Sequence, residues 1–165
     1  GLGFGAQWRR QTNSGLLDIS LSAYGSSGPW ADRRGFDSLL QMSTGIAWPS
    51  EHGGKPSPLP VQALDHATGY LMAASALKAL CLRREQGVAC ESRLSLASTA
   101  ALLCSVPAPL DSCALPAETV ADISPEAELT QWGAAHRLRF PVHIEDSEAH
   151  WSVPAGALRR DSACW

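Results

Sequence analysis

The stretch that decides how this chain is read is "ALDHATGYLMAASALKALCLRRE", residues 63–85. Tyr70, Leu71, Ala74, Leu77, Leu80 and Cys81 recur at helical spacing, which predicts a helix from His66 to Arg84. Asp65 stands at the natural N-cap of that helix, and Arg83-Arg84 fall in its last turn, where cations suit the dipole. The acid fits two readings. It is a cap that satisfies helix N–H groups, or it is an ionised, accessible carboxylate placed beside backbone donors that stabilise a developing oxyanion. Gly69 costs the first turns some stability but leaves room for a close ligand, which gives the second reading some weight.

Working outward, "LLDISLSAYG" from Leu16 to Gly25 reads as a strand with Ile19, Leu21 and Ala23 on one face. It runs into "GSSGPWADRRG", a loop broken by Gly25, Gly28, Pro29 and Gly35. "FDSLLQMSTGIAW" suits a short helix from Asp37, which Asp37 itself would cap, and a Pro/Gly-rich loop leads on to Val61. After the long helix, "CESRLSLAS" reads as a strand, and "SLASTAALLCSV" as a further helix. Pro107, Pro109 and Pro116 mark an irregular linker. Ser124-Pro125-Glu126 carries a cap, a first-position proline and a first-turn acid, and so predicts a helix start; "HRLRFPVHI" suits a final strand. Strands alternating with helices give an α/β class with a largely parallel sheet, in which ligands gather at strand carboxyl ends and helix N-termini.

The bulk numbers narrow the function. At 165 residues the chain is long enough to bury a core, and 45% hydrophobic with 18% charged residues describes a globular, not a disordered, segment. A net charge of −3, with the basic residues in short pairs (Arg9-Arg10, Arg33-Arg34, Arg83-Arg84, Arg159-Arg160), argues against nucleic acid as a partner. Five cysteines (Cys81, Cys90, Cys104, Cys113, Cys164) with no Cys-x-x-Cys pair argue against a disulfide framework and a closed zinc site, and fit free thiols in a reducing cytoplasm. The most apolar window, Ala67 to Leu82, is interrupted by Lys78 and is too short to span a bilayer; no signal peptide is visible, so no membrane partner is expected. Gly1 opens the chain without a start signature, as expected of part of a longer one.

Besides Asp65, the candidate chemistry is sparse. His66 is a general base or a surface group, and it makes no dyad with Asp65, because adjacent helix residues point apart. Arg33-Arg34 either grip a phosphate or lie exposed in their loop.

Taken together, "YGSSGP", "RRGFD" and "DHATG", in that order and spacing, resemble the family III CoA-transferases, the group that includes formyl-CoA and carnitine-CoA transferases. The resemblance runs from about Leu16 to Leu103. It implies an α/β fold, part of the large domain of a family III CoA-transferase, mostly parallel sheet with flanking helices. The expected division is a partial large-domain core over 1–103, a Pro-rich linker over 104–123, and a C-terminal helix and return segment over 124–165. Asp65 falls on the family's catalytic aspartate, in a D-x-x-T-G pattern completed by Thr68 and Gly69. Arg34 falls where members place a basic residue close to CoA, Phe36 where an aromatic or apolar side chain lies near it, and Asp37 on an acidic position beside the site; with Gly69 these make the cofactor-binding set.

What the resemblance implies is transfer of CoA from an acyl-CoA to an acceptor carboxylic acid through an aspartyl-CoA thioester on Asp65, with coenzyme A as substrate and no metal. It also implies a cytoplasmic, interlocked homodimer in the complete protein. The family's N-terminal segment, which supplies much of the CoA site, has no counterpart here, nor has the inserted small domain. The chain is thus expected to be the middle and end of a member, and a non-catalytic fragment needing another chain stands as the alternative. A second alternative, an α-methylacyl-CoA racemase, carries a "GHD" where this chain has Gly35-Phe36-Asp37, and Phe36 cannot carry a proton.

Overall fold

A computed structural model describes residues 3–48, 54–107, 116–147 and 150–164. The chain divides into two compact units, Gly1–Pro109 and Leu110–Trp165, a division that falls within the proline-rich stretch. Of the linker expected over 104–123, positions 108–115 lie outside the described residues. The first unit runs α1 (Ala6–Thr12), β1 (Asp18–Ser22), α2 (Asp37–Ser43), α3 (Ala63–Gln86), β2 (Glu91–Ser95) and α4 (Leu96–Ser105). The second holds a short 3₁₀ turn and a hairpin of β3 (Ile123–Thr130) and β4 (Gly133–Leu138).

In the first unit β1 and β2 pair in parallel, Asp18 opposite Glu91 and Ser22 opposite Ser95, with α2 and α3 in the crossover between them. The mixed α/β class agrees with the sequence, but the parallel sheet has two strands, and the other pair, β3 with β4, is antiparallel. No sequence pattern announced α1. That helix is tied to the sheet by Arg9, which donates to the Asp18 carboxylate at 2.5 and 3.0 Å, and by Arg10 paired with Glu91.

The core sits where α2, α3 and α4 meet. Leu40, Leu64, Leu96 and Ala100 are buried there, with Ala23, Tyr24, Ile46 and Ala97 packed against them. Burial of each leucine contributes about 2 kcal/mol. A hydroxyl pair stands inside this apolar cluster: Thr68 Oγ1 lies 2.6 Å from Thr99 Oγ1 and donates to the Leu64 carbonyl at 2.6 Å. Ser95 caps α4 by accepting the Ser98 N–H. Gly87, in the left-handed region at φ 69°, closes α3 with its N–H on the Arg83 carbonyl.

The long helix shows a face that periodicity alone did not reveal. Its buried residues are Leu64, Thr68 and Ala79, whereas Tyr70, Leu71, Ala74, Leu77, Leu80 and Cys81 are exposed. The side of α3 that meets the core is the narrower stripe: Leu64 clusters with Leu96 and Ala100 of α4, and Thr68 bonds Thr99.

The helix expected from Ser124 is a strand. Ser124 Oγ accepts the Glu126 N–H at 3.3 Å, the same short reach a capping serine uses, but here it serves extended backbone. Pro125, which has no N–H to give, sits where the β3–β4 register is interrupted between Ile123 and Ala127. Two residues, Gln131 and Trp132, then join the strands, with Gly133 at φ 113°. β4 stops at Leu138, before Pro141.

Candidate active site

Two helix starts, α2 and α3, converge beside the core, and "RRGFD" and "DHATG" lie on them. Gly35 explains part of the first motif. A Cβ there would lie 2.6 Å from Leu40 Cδ2 and 2.9 Å from Ala23 Cβ, so only glycine lets the end of β1 and the start of α2 lie this close. Phe36 is the N-cap residue of α2, provides no side-chain cap, and is 74% exposed. Arg34 is exposed as well, and its guanidinium has no protein partner among the described residues. Neighbouring Arg33 lies over the Trp30 ring, 4.7 Å from its centroid.

Asp37 does not cap its own helix. It is the first residue of α2 and is buried to 1% exposure, and its Oδ2 accepts the Asp65 N–H at 2.8 Å, across 28 residues of chain. That is the bond an N-cap side chain would make, and it moves the expected role of Asp65. The helix begins at Ala63 after Gln62, so Asp65 is its third residue and not its cap. The cap comes from α2.

The consequence for Asp65 is geometric. Its backbone is pinned, while its carboxylate is exposed and has no hydrogen-bond or ion-pair partner among the described residues. With the Asp65 N–H taken by Asp37, the N–H groups of Ala63 and Leu64 are the first-turn donors left without an acceptor among the described residues. Gly69, one turn on and on the same side as Asp65, is exposed, and a Cβ there would meet nothing within 4 Å. His66 is exposed and makes no bond to Asp65.

The structure therefore brings Asp37 and Asp65 together, with Gly69 a turn away on the same helix, and leaves Arg34 and Phe36 exposed on the approach to α2. Thr68, by contrast, faces the core. Sequence reasoning missed Gln41, which is 1% exposed and bonds Asp37. A glutamine four residues after the acid, on the same helical face, was the available signal.

Parallel strands, a crossover through two helices and, at the start of the second helix, a carboxylate with no partner among the described residues describe an α/β protein. The chain matches the model of CoA-transferase family III over residues 1–126, and it belongs to that family. Among curated proteins it is similar to the probable fatty acyl-CoA transferase Rv3272 of Mycobacterium tuberculosis, 38% identical over 92 residues, which is 53% of this chain and 23% of the relative. The chain thus spans about a quarter of the length of that relative. A crystal structure of Rv3272 superposes with a TM-score of 0.57 at 32% identity, covering 61% of this chain and 29% of that one. A CAIB/BAIF family protein from Brucella suis shares the fold at a TM-score of 0.51 and 21% identity, over 80% of this chain and 37% of that one. Among the described residues, no helix is long and apolar enough to cross a membrane.

Proposed function

We propose that this chain carries the nucleophile of a CoA-transferase that moves CoA between carboxylic acids, with Asp65 as the attacking group. The observation that carries the reading is the exposed Asp65 carboxylate, without a partner among the described residues, on a backbone pinned by a buried acid. One carboxylate oxygen of Asp65 attacks the thioester carbonyl of the donor. The C–S bond breaks, and CoA leaves as thiolate from a mixed anhydride. The thiolate attacks the aspartyl carbonyl, releasing the donor acid as carboxylate and leaving an aspartyl-CoA thioester. An acceptor carboxylate attacks that thioester, and the returning thiolate takes the new acyl group and restores Asp65. Thioester energy is conserved, and no proton or electron has to be supplied.

A carboxylate is a weak nucleophile, so positioning and oxyanion stabilisation supply the acceleration. The N–H groups of Ala63 and Leu64, first-turn donors without an acceptor among the described residues, are available for that task. Gly69 gives the acyl-CoA a close approach, and Arg34 and Phe36 line its entry, one as a cation for phosphate and one as an apolar surface. Asp37 has an oxygen on each of Gln41 and Asp65, so its part is to hold the helix start and not to touch CoA. The name of the mycobacterial relative favours a fatty acyl donor. The working unit is a cytoplasmic homodimer of the full-length protein.

Asp65→Asn tests the reading. Asn keeps the helix start and removes the nucleophile, so turnover should vanish while folding and CoA binding stay near wild type. Incubation with a long-chain acyl-CoA, trapping with hydroxylamine and mapping by mass spectrometry should place the adduct on Asp65. Full activity in Asp65→Asn, or an adduct on another residue, rejects it.

A further inference from the structure

We infer that Gln41 is a positioning residue for Asp65, acting through Asp37. Gln41 sits on α2, 1% exposed, and no part of it reaches the surface where substrate would lie. Its Nε2 donates to Asp37 Oδ1 at 2.5 Å and to the Val61 carbonyl at 3.1 Å. Its Oε1 accepts the Leu59 N–H at 2.7 Å. The amide thus grips both Leu59 and Val61, the segment that leads into α3, and aligns the acid that holds the Asp65 N–H.

The orientation of the amide is fixed by its surroundings. Turned over, it would put Oε1 against both the Asp37 carboxylate and the Val61 carbonyl and its NH₂ against the Leu59 N–H, three repulsive contacts in a buried place. Asp37 needs a donor on each oxygen: Gln41 serves Oδ1 and Asp65 serves Oδ2. The relay runs from the entry segment through Gln41 and Asp37 to the backbone of Asp65. A small tilt at its first member shifts the carboxylate at its last, and misplacement of a reacting group by about 1 Å costs on the order of 10²-fold in rate.

This inference rests on Asp65 being the nucleophile, and the test separates the two. In the full-length protein, the single-turnover rate of adduct formation from palmitoyl-CoA is measured against its concentration for wild type, Asp65→Asn, Gln41→Glu, and the exchange Asp37→Asn with Gln41→Glu. Gln41→Glu sets two carboxylates face to face. The limiting rate should fall about 10²-fold with half-saturation changed less than about threefold, and hydrogen exchange at the Asp65 amide should speed up. The double exchange restores the link between the two side chains with reversed polarity: the introduced asparagine amide donates to the introduced glutamate carboxylate, the asparagine carbonyl accepts the Asp65 N–H, the glutamate still accepts the Leu59 N–H, and the Val61 carbonyl alone loses its donor. It should recover the limiting rate to within about tenfold of wild type. A merely structural glutamine would lower the folded fraction and leave the limiting rate per trapped site unchanged. That result in Gln41→Glu, with Asp65→Asn inactive, overturns the positioning role and leaves the nucleophile standing. Activity in Asp65→Asn overturns the underlying reading. Where Gln41→Glu does not fold, the double exchange decides: a protected Asp65 amide with the rate still about 10²-fold down overturns the proposal, and recovery supports it.

Discussion

Thr68→Val asks whether the threonine of "DHATG" serves chemistry or packing. Thr68 is fully buried, and its hydroxyl bridges the Leu64 carbonyl and Thr99 Oγ1, each at 2.6 Å. Valine keeps the shape and nearly the helix propensity, and deletes these bonds. Thr99 Oγ1 retains the Ser95 carbonyl at 3.3 Å, so no buried hydroxyl is orphaned. The cost is then a net hydrogen bond, about 1 kcal/mol, and not the full desolvation penalty. With a urea dependence of about 2 kcal/mol per molar, the unfolding midpoint should fall by about 0.5 M. Thr99→Val removes the same hydroxyl contact from the other side, leaving Thr68 on the Leu64 carbonyl. Both single variants lose one shared interaction, so the double variant should cost about 1 kcal/mol less than their sum. The assay is urea denaturation of the four proteins, followed by circular dichroism, with transferase activity measured alongside. Additive costs, or loss of turnover in Thr68→Val with its midpoint unchanged, would refute the assignment of Thr68 to the core.

Gly35→Ala should destabilise by about 1–3 kcal/mol, read as a lowered melting temperature, because its Cβ would press on Leu40 and Ala23 at 2.6 and 2.9 Å. Gly69→Ala should stabilise the fold by up to about 1 kcal/mol, since the space is open and alanine favours helix, yet it should weaken half-saturation by acyl-CoA if the ligand lies against that turn. Thermal melts and single-turnover kinetics on one preparation give both numbers. Leu77→Lys, at a position 64% exposed on α3, should leave stability within about 0.5 kcal/mol by the same melts.

By itself the sequence located the long helix, both parallel strands and the helices at Asp37 and Leu96, because hydrophobic period and glycine or proline punctuation are local properties of the chain. It also placed Asp65 at a helix start with Gly69 one turn on, since spacing along a helix fixes which residues share a side. Tertiary structure decided what that start is made of. The cap on α3 comes from Asp37, 28 residues earlier, and Gln41 ties both to the entry segment. Such bonds join residues that no local pattern connects. Tertiary structure also decided which side of α3 is covered: the apolar stripe at Tyr70, Leu71, Leu77 and Leu80 is the stronger periodic signal, but Leu64, Thr68 and Ala79 meet the core. Periodicity shows that a helix has an apolar side; which side is covered depends on the elements packed against it, here α4 against Leu64 and Thr68. At Ser124-Pro125-Glu126 the local signature suited a helix cap and an extended bulge equally, and pairing with β4, outside the reach of that signature, settled it as a strand.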